Sequence, residues 1–249
     1  MNVNIDRIIY IYLILMYTMN DWNQLLLEVK DGLTFAQRLP PSITYSVKND
    51  GVPIAGSEKT VYRRLNVLES IGLANFRDGR FQINRAAHQP HFLFQKLLPS
   101  LVALKNARQF GKLYSNSDVN LSRRILNEKF LITLDYAAWE LTRYQTPLDL
   151  YLYVDDIETT VKLLKKNNFS EGKKGHVILL PKIGDFSNEI ERVYLDCIAK
   201  GGRNTMDAIA IEILHGDKLS TKGQFPIEYV LKVQEDIPKE QMMIEAAGS

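Results

Sequence analysis

The chain has 249 residues, 45% of them hydrophobic and 24% charged, which excludes a wholly disordered or low-complexity protein. Its one cysteine, Cys197, excludes an internal disulfide framework and a Cys-rich metal or cluster site, and it fits a reducing, cytoplasmic setting. Lys plus Arg number 31 and Asp plus Glu 29, a net charge of +2 that is too small to demand a nucleic-acid partner and too small to exclude one.

The chain opens with an apolar run, IIYIYLILMYTM at residues 8–19. A membrane-spanning helix needs ~20 apolar residues. A signal peptide needs a positive start and a small-residue cleavage site. Here Asp6 offsets Arg7, and Tyr17, Thr18 and Asn20 match such a site poorly. A buried helix or strand is the expected reading, so no membrane partner is expected. A true start at Met16 or Met19, or a membrane anchor, are the alternatives. A helix is expected next at about residues 21–30, with Trp22, Leu25, Leu26 and Val29 facing inward.

The densest positive charge lies in residues 57–85, with six basic groups against three acidic. Residues 57–83 read SEKTVYRRLNVLESIGLANFRDGRFQI. Ser57 can cap a helix by accepting an orphan backbone N–H. Val61, Leu65, Leu68 and Ile71 recur at helical spacing, and Gly72 ends the helix. The opposite face carries Lys59, Arg63, Asn66 and Ser70, with Tyr62 on its flank and Arg64 near the apolar edge. Two extended runs follow, 73–77 and 80–83. Asp78-Gly79 joins them as a two-residue hairpin turn whose central residues must tolerate positive φ. Arg77 and Arg80 flank its tip.

This stretch resembles winged-helix regulators, in which such a helix enters DNA and a hairpin wing follows. The resemblance implies double-stranded DNA as partner, contacted by Ser57, Lys59, Thr60, Tyr62, Arg63, Arg64, Asn66, Arg77 and Arg80. Arginine reads guanine O6/N7 and asparagine reads adenine N6/N7 in the major groove, while lysine and the hairpin arginines neutralise phosphates and fix register. For Arg64 a phosphate contact or an internal ion pair is expected rather than base reading. Many such regulators dimerise to read repeated sites, so a homodimer is a further expectation.

A mainly helical connector is expected over residues 88–115, with Pro99 bending it. Beyond it, residues 131–141 (LITLDYAAWEL) are read as a helix. In residues 148–154 Leu148, Leu150, Leu152 and Val154 share one parity and Asp149, Tyr151 and Tyr153 the other, the signature of a strand. A helix is expected at 157–167, with Asp155 and Asp156 at its start. A strand follows at 176–180, then helices at 188–200 and 204–214 on either side of the Gly201-Gly202 break.

Arg143 and residues 146–151 (TPLDLY) resemble the R-x-T-x-D-x-D strand of the nucleotidyltransferase fold. In active members two or three carboxylates hold catalytic metal ions. Here Tyr151 stands at the second carboxylate position, and the phosphate-cradling Gly-Ser is replaced by Asp135-Tyr136-Ala137-Ala138. Asp149 alone does not organise two metals. A nucleotidyltransferase-like scaffold without catalysis is therefore expected, with no catalytic residue, cofactor or metal.

The combination resembles the AbiEi family, the antitoxins and transcriptional regulators of type IV toxin–antitoxin systems. Residues 57–83, 137–156, 175–181 (GHVILLP) and 193–210 (VYLDCIAKGGRNTMDAIA) carry the resemblance, over roughly a third of the chain and in the family's order. It implies binding near the protein's own promoter and neutralisation of a cognate nucleotidyltransferase-like toxin. The expected architecture is α+β: a winged helix-turn-helix over 1–87, the connector over 88–115 and a nucleotidyltransferase-like α/β domain over 116–249. An enzyme using Asp149 and a winged-helix protein-interaction module without DNA binding remain the alternatives.

Other residues read as structural. His88 and His91 lack a third ligand for a metal. Cys197 and Trp139 are expected in the core. Gly201-Gly202-Arg203 is a helix stop before it is a phosphate turn, and Lys165, Lys166, Lys173 and Lys174 form a basic region that can touch flanking DNA.

Overall fold

A computed structural model describes residues 29–41, 43–111, 124–126, 130–172 and 175–247. The apolar run at 8–19, Trp22, Leu25, Leu26, Lys173 and Lys174 lie outside the described residues. The fold is mixed α+β, with two small sheets. The chain divides into two compact units, residues 1–98 and 99–249.

In the first unit residues 29–36 are helical (α1), six residues beyond the expected end at Lys30. The chain continues as strand β1 (Thr44–Ser46), a π-helical turn (Val47–Gly51), helix α2 (Val52–Ala55) and helix α3 (Glu58–Ser70). Strands β2 (Ala74–Arg77) and β3 (Arg80–Ile83) follow. They pair antiparallel, and β1 adds to the free side of β3, giving the order β1-β3-β2.

Local chemistry explains these elements. Ser57 Oγ accepts from Thr60 N–H at 3.2 Å and caps α3, satisfying one orphan donor. Val61, Leu65, Leu68 and Ile71 are all fully buried. Asp78 and Gly79 take φ of 50° and 72°, the type I′ geometry that matches the twist of the flanking strands. Gly51 is required by packing, because a Cβ there would lie 2.9 Å from Val61 Cγ1. Phe81 anchors the core, with Phe35 at 5.9 Å and Tyr45 at 5.5 Å between ring centroids.

Helix α4 (His91–Lys105) carries Pro99 within it. The second unit's sheet comprises β4 (Arg108–Phe110), β5 (Leu131–Thr133), β6 (Leu150–Val154) and β7 (Val177–Pro181), ordered β4-β7-β6-β5. In this sheet the other neighbouring pairs are antiparallel, whereas β6 and β7 run parallel, Leu152 standing beside Leu179. Helix α6 (Ile157–Lys166) links them. Asp156 caps that helix, accepting from the N–H groups of Glu158 and Thr159.

Residues 131–141 are not one helix. Leu131–Thr133 pair with β6, and helix α5 (Leu134–Thr142) starts only afterwards. An apolar run of this length satisfies either period, and pairing with Tyr151–Tyr153 decides it as a strand. Leu148 is half-exposed and precedes the strand, which begins at Leu150 and is buried on both faces. Leu150, Leu152 and Val154 join Phe110, Val161, Leu164 and Leu179 in one core cluster. The opposite parity, Tyr151 and Tyr153, serves the other face, where α5 and α7 (Glu189–Lys200) lie. Helix α8 (Asn204–His215) packs on α7, and α9 (Ile227–Ala247) packs on α8 through Ile209, Ala210, Val233 and Ile237. Among the described residues no helix is long and apolar enough to cross a membrane.

Candidate functional site

The burial of one stripe of α3 dictates what its other face presents. Lys59, Arg63 and Asn66, at helical spacing, are exposed. Lys59 and Asn66 make no side-chain hydrogen bond or ion pair with described residues, so their polar groups face solvent with full bonding capacity. Arg63 reaches Asp31 of α1 at 4.0 Å, both side chains being largely exposed. A pair of this kind is weak and leaves the guanidinium free to exchange partners.

The remaining expected contacts divide into two kinds. Arg77 and Arg80 stand exposed on either side of the hairpin turn, opposite each other across the strand pair. Arg77 lies 3.8 Å from Asp78. Ser57 and Thr60 share a hydroxyl–hydroxyl hydrogen bond of 3.0 Å at the start of α3, so their first task is the helix cap. Tyr62 is half-buried and packs edge-on against Phe76.

Among the described residues, Arg64 does not form the internal ion pair that was one of its two expected roles. Its guanidinium lies over the Phe35 ring at 5.9 Å, and its Nε is buried without a hydrogen-bond partner. The wheel placed it near the apolar edge, and the cation–π contact with α1 explains why it turns inward. One basic residue was missed by sequence reasoning. Lys48 is exposed on the π-helical turn, 3.9 Å from Glu58, and no periodicity in the sequence marks it.

In the second unit the residues of the enzyme alternative are engaged with one another. Asp149 Oδ1 lies 2.6 Å from His176 Nδ1, and Tyr151 O–H donates to Asp149 Oδ2 at 3.4 Å. Asp135 accepts from the N–H groups of Leu148 and Asp149 at 3.2 Å each, and from Asn204 Nδ2 at 2.7 Å. Asn204 also donates to Asp207 at 3.2 Å. Burial, then the neighbouring Asp135, pushes the Asp207 carboxyl up to about 7, while Arg203 and the Asn204 hydrogen bond act the other way.

Gly201-Gly202-Arg203 ends α7 and turns into α8. Arg203 donates to Gln145 Oε1 at 2.6 Å and to the Thr146 carbonyl at 2.5 Å. These bonds fasten the segment before β6 to the start of α8. Cys197 is fully buried, and burial holds its thiol well above the usual range, which makes it inert. Trp139 is half-buried, with the exposed Arg143 guanidinium over its ring at 3.9 Å. His88 bonds the Leu39 carbonyl at 2.8 Å. Among the described residues no group of three His, Cys, Asp or Glu side chains is arranged to hold a metal ion.

A deeper network sits under the β6 face carrying Tyr153. Asp196 accepts from Thr133 O–H at 2.6 Å and from Tyr153 O–H at 2.8 Å. Arg192 donates to the Tyr153 oxygen at 2.7 Å and lies 3.2 Å from Asp196. All four residues are buried, so each charge is compensated inside the network, as burial demands.

Comparison of the chain with protein-family models, with curated proteins and with solved structures finds no match.

Proposed function

We propose that the first unit is a winged-helix module that binds double-stranded DNA, and that the protein is a sequence-specific transcriptional regulator of the AbiEi kind. The observation that carries this reading is the exposed row Lys59, Arg63 and Asn66 on α3, a donor-rich helix face beside a hairpin tipped by Arg77 and Arg80. The element order around it supports the same reading: α1, β1, α2, a Gly56-Ser57 turn, α3 and a hairpin, with β1 closing the sheet.

In this reading α3 enters the major groove, where Arg63 and Asn66 read base edges. Lys59, Lys48 and the hairpin arginines hold phosphates. Tyr62 keeps the hairpin against α3 rather than reading a base. The antitoxin role, with a nucleotidyltransferase-like toxin as partner, rests on the sequence resemblance alone.

A base-substitution series across the bound site tests the assignment. Arg63→Ala is expected to cost ~1–3 kcal/mol and to relax preference at one base position, whereas Arg80→Ala weakens all sequences alike and lowers the salt slope by about 1. An Arg63→Ala variant with unchanged affinity and unchanged preference would remove α3 as the reading helix.

A further inference from the structure

The second unit holds a cavity of about 340 Å³ between β5, α5, β6 and α7. That volume lies within the range of small-molecule pockets, ~300–1,000 Å³. Its walls are apolar, supplied by Leu131, Leu141, Phe186 and Ile190. Thr133, Tyr153 and Arg192 also line it, and they belong to the buried network closed on Asp196. Arg192 is 5% exposed, and its Nε lies 3.2 Å from Asp196 Oδ1 as an ion pair, without hydrogen-bond geometry. Its guanidinium lies 5.1 Å from the Tyr153 ring centroid and 5.0 Å from that of Phe186. The polar wall is therefore a rigid, internally neutralised surface rather than a free positive charge.

Two exposed carboxylates share the lining. Glu140 and Glu189 line the same cavity and are exposed. Neither makes an ion pair or side-chain hydrogen bond with a described residue. The cavity thus offers apolar walls, aromatic rings and two exposed carboxylates that no described residue compensates. Carboxylates accept hydrogen bonds and attract cations, and an anionic ligand would meet repulsion that the Asp196-paired Arg192 does not offset.

From this arrangement we infer that the cavity is a binding site for a small organic amine, an apolar or aromatic body carrying one ammonium group. The body fills the space between Leu141, Phe186 and Ile190. The ammonium sits between Glu140 and Glu189. This site is independent of the DNA-binding reading, since every residue of it belongs to the second unit.

Isothermal titration of the full chain tests it with two amines, phenethylamine and tryptamine, and two carboxylates of matching body, 3-phenylpropionate and indole-3-propionate. At least one amine is expected to bind about tenfold or more tightly than its carboxylate counterpart. The double variant Glu140→Gln/Glu189→Gln, which removes no partner among the described residues, should unfold at the parental temperature and lose that preference. Ile190→Trp, which fills the cavity, should abolish binding. The proposal is overturned if neither amine binds, if amines and carboxylates bind alike, or if the double variant keeps the preference. A lysine-bearing peptide that binds where neither free amine does would make the site a protein-docking groove, and so would also overturn it.

Discussion

The Tyr62 ring meets the Phe76 ring edge-on, with centroids 5.3 Å apart and planes at 73°. This contact ties the flank of α3 to strand β2. An edge-to-face pair contributes ~0.5–1.5 kcal/mol beyond its buried area. Phe76→Ala is therefore expected to destabilise the first unit by about 1–3 kcal/mol, read by urea denaturation. Tyr62→Phe keeps the ring and should cost little. Equal losses in the two variants would mean that the Tyr62 hydroxyl, not the ring pair, does the holding.

The Asp31–Arg63 pair gives a second prediction. Both side chains are largely exposed, 4.0 Å apart, so Asp31→Asn should change stability by no more than ~1 kcal/mol. If Arg63 contacts DNA, the same change removes a competing and phosphate-repelling charge. Affinity for DNA should then rise at low salt, with the gain fading as salt screens it. A fall in affinity would show that Asp31 orients Arg63 for binding.

Arg192 and Asp196 form an ion pair with both side chains almost wholly buried. Arg192→Leu leaves the Asp196 carboxylate with only the Thr133 and Tyr153 hydroxyls. Removing one partner of such a pair costs ~3–5 kcal/mol, while replacing both by apolar residues is often near neutral. Equilibrium unfolding of Arg192→Leu, Asp196→Leu and the double variant should show that pattern. Additive losses would contradict a coupled network.

Asp207 sets a pH dependence whose sign follows from its raised value of about 7. The unfolded carboxyl titrates near ~4, so between ~4 and ~7 the folded state holds a proton that the unfolded state has released. Stability contributed by this group is full below ~4 and declines as pH rises to ~7. Asp207→Asn should flatten that decline, and be stabilising relative to the parent at pH 8. Denaturation midpoints measured from pH 4 to 8 check it. Parallel profiles would place the Asp207 carboxyl in its ordinary range.

Much of the fold could be read from residues whose local chemistry is self-contained. Helix α3 announced itself through its apolar stripe, the Ser57 cap and Gly72. The hairpin did so through Asp78-Gly79, and β6 through the alternation of Leu150, Leu152 and Val154. Strands β1, β4 and β5 were missed because each has three residues, too few to show a period, and each exists only through its neighbour in the sheet. The exposed row Lys59, Arg63 and Asn66 was legible from a helical wheel. Arg64 over Phe35 was not, nor was Asp135 beside Asn204, 69 residues away, because such contacts join separate elements. Trp139, expected in the core, is half-buried, with Arg143 at the end of α5, φ of 54°, lying over its ring.

The most direct test of the account is a fluorescence-anisotropy titration of the full chain. One duplex carries the DNA upstream of its own gene and the other a scrambled sequence of equal composition, each at two salt concentrations, because affinity without salt dependence is uninterpretable. The account predicts preference for the upstream duplex of tenfold or more, ~1.4 kcal/mol, persisting at the higher salt. Equal, weak and steeply salt-dependent binding of both duplexes would contradict it, leaving α3 with a generic basic face and no reading function.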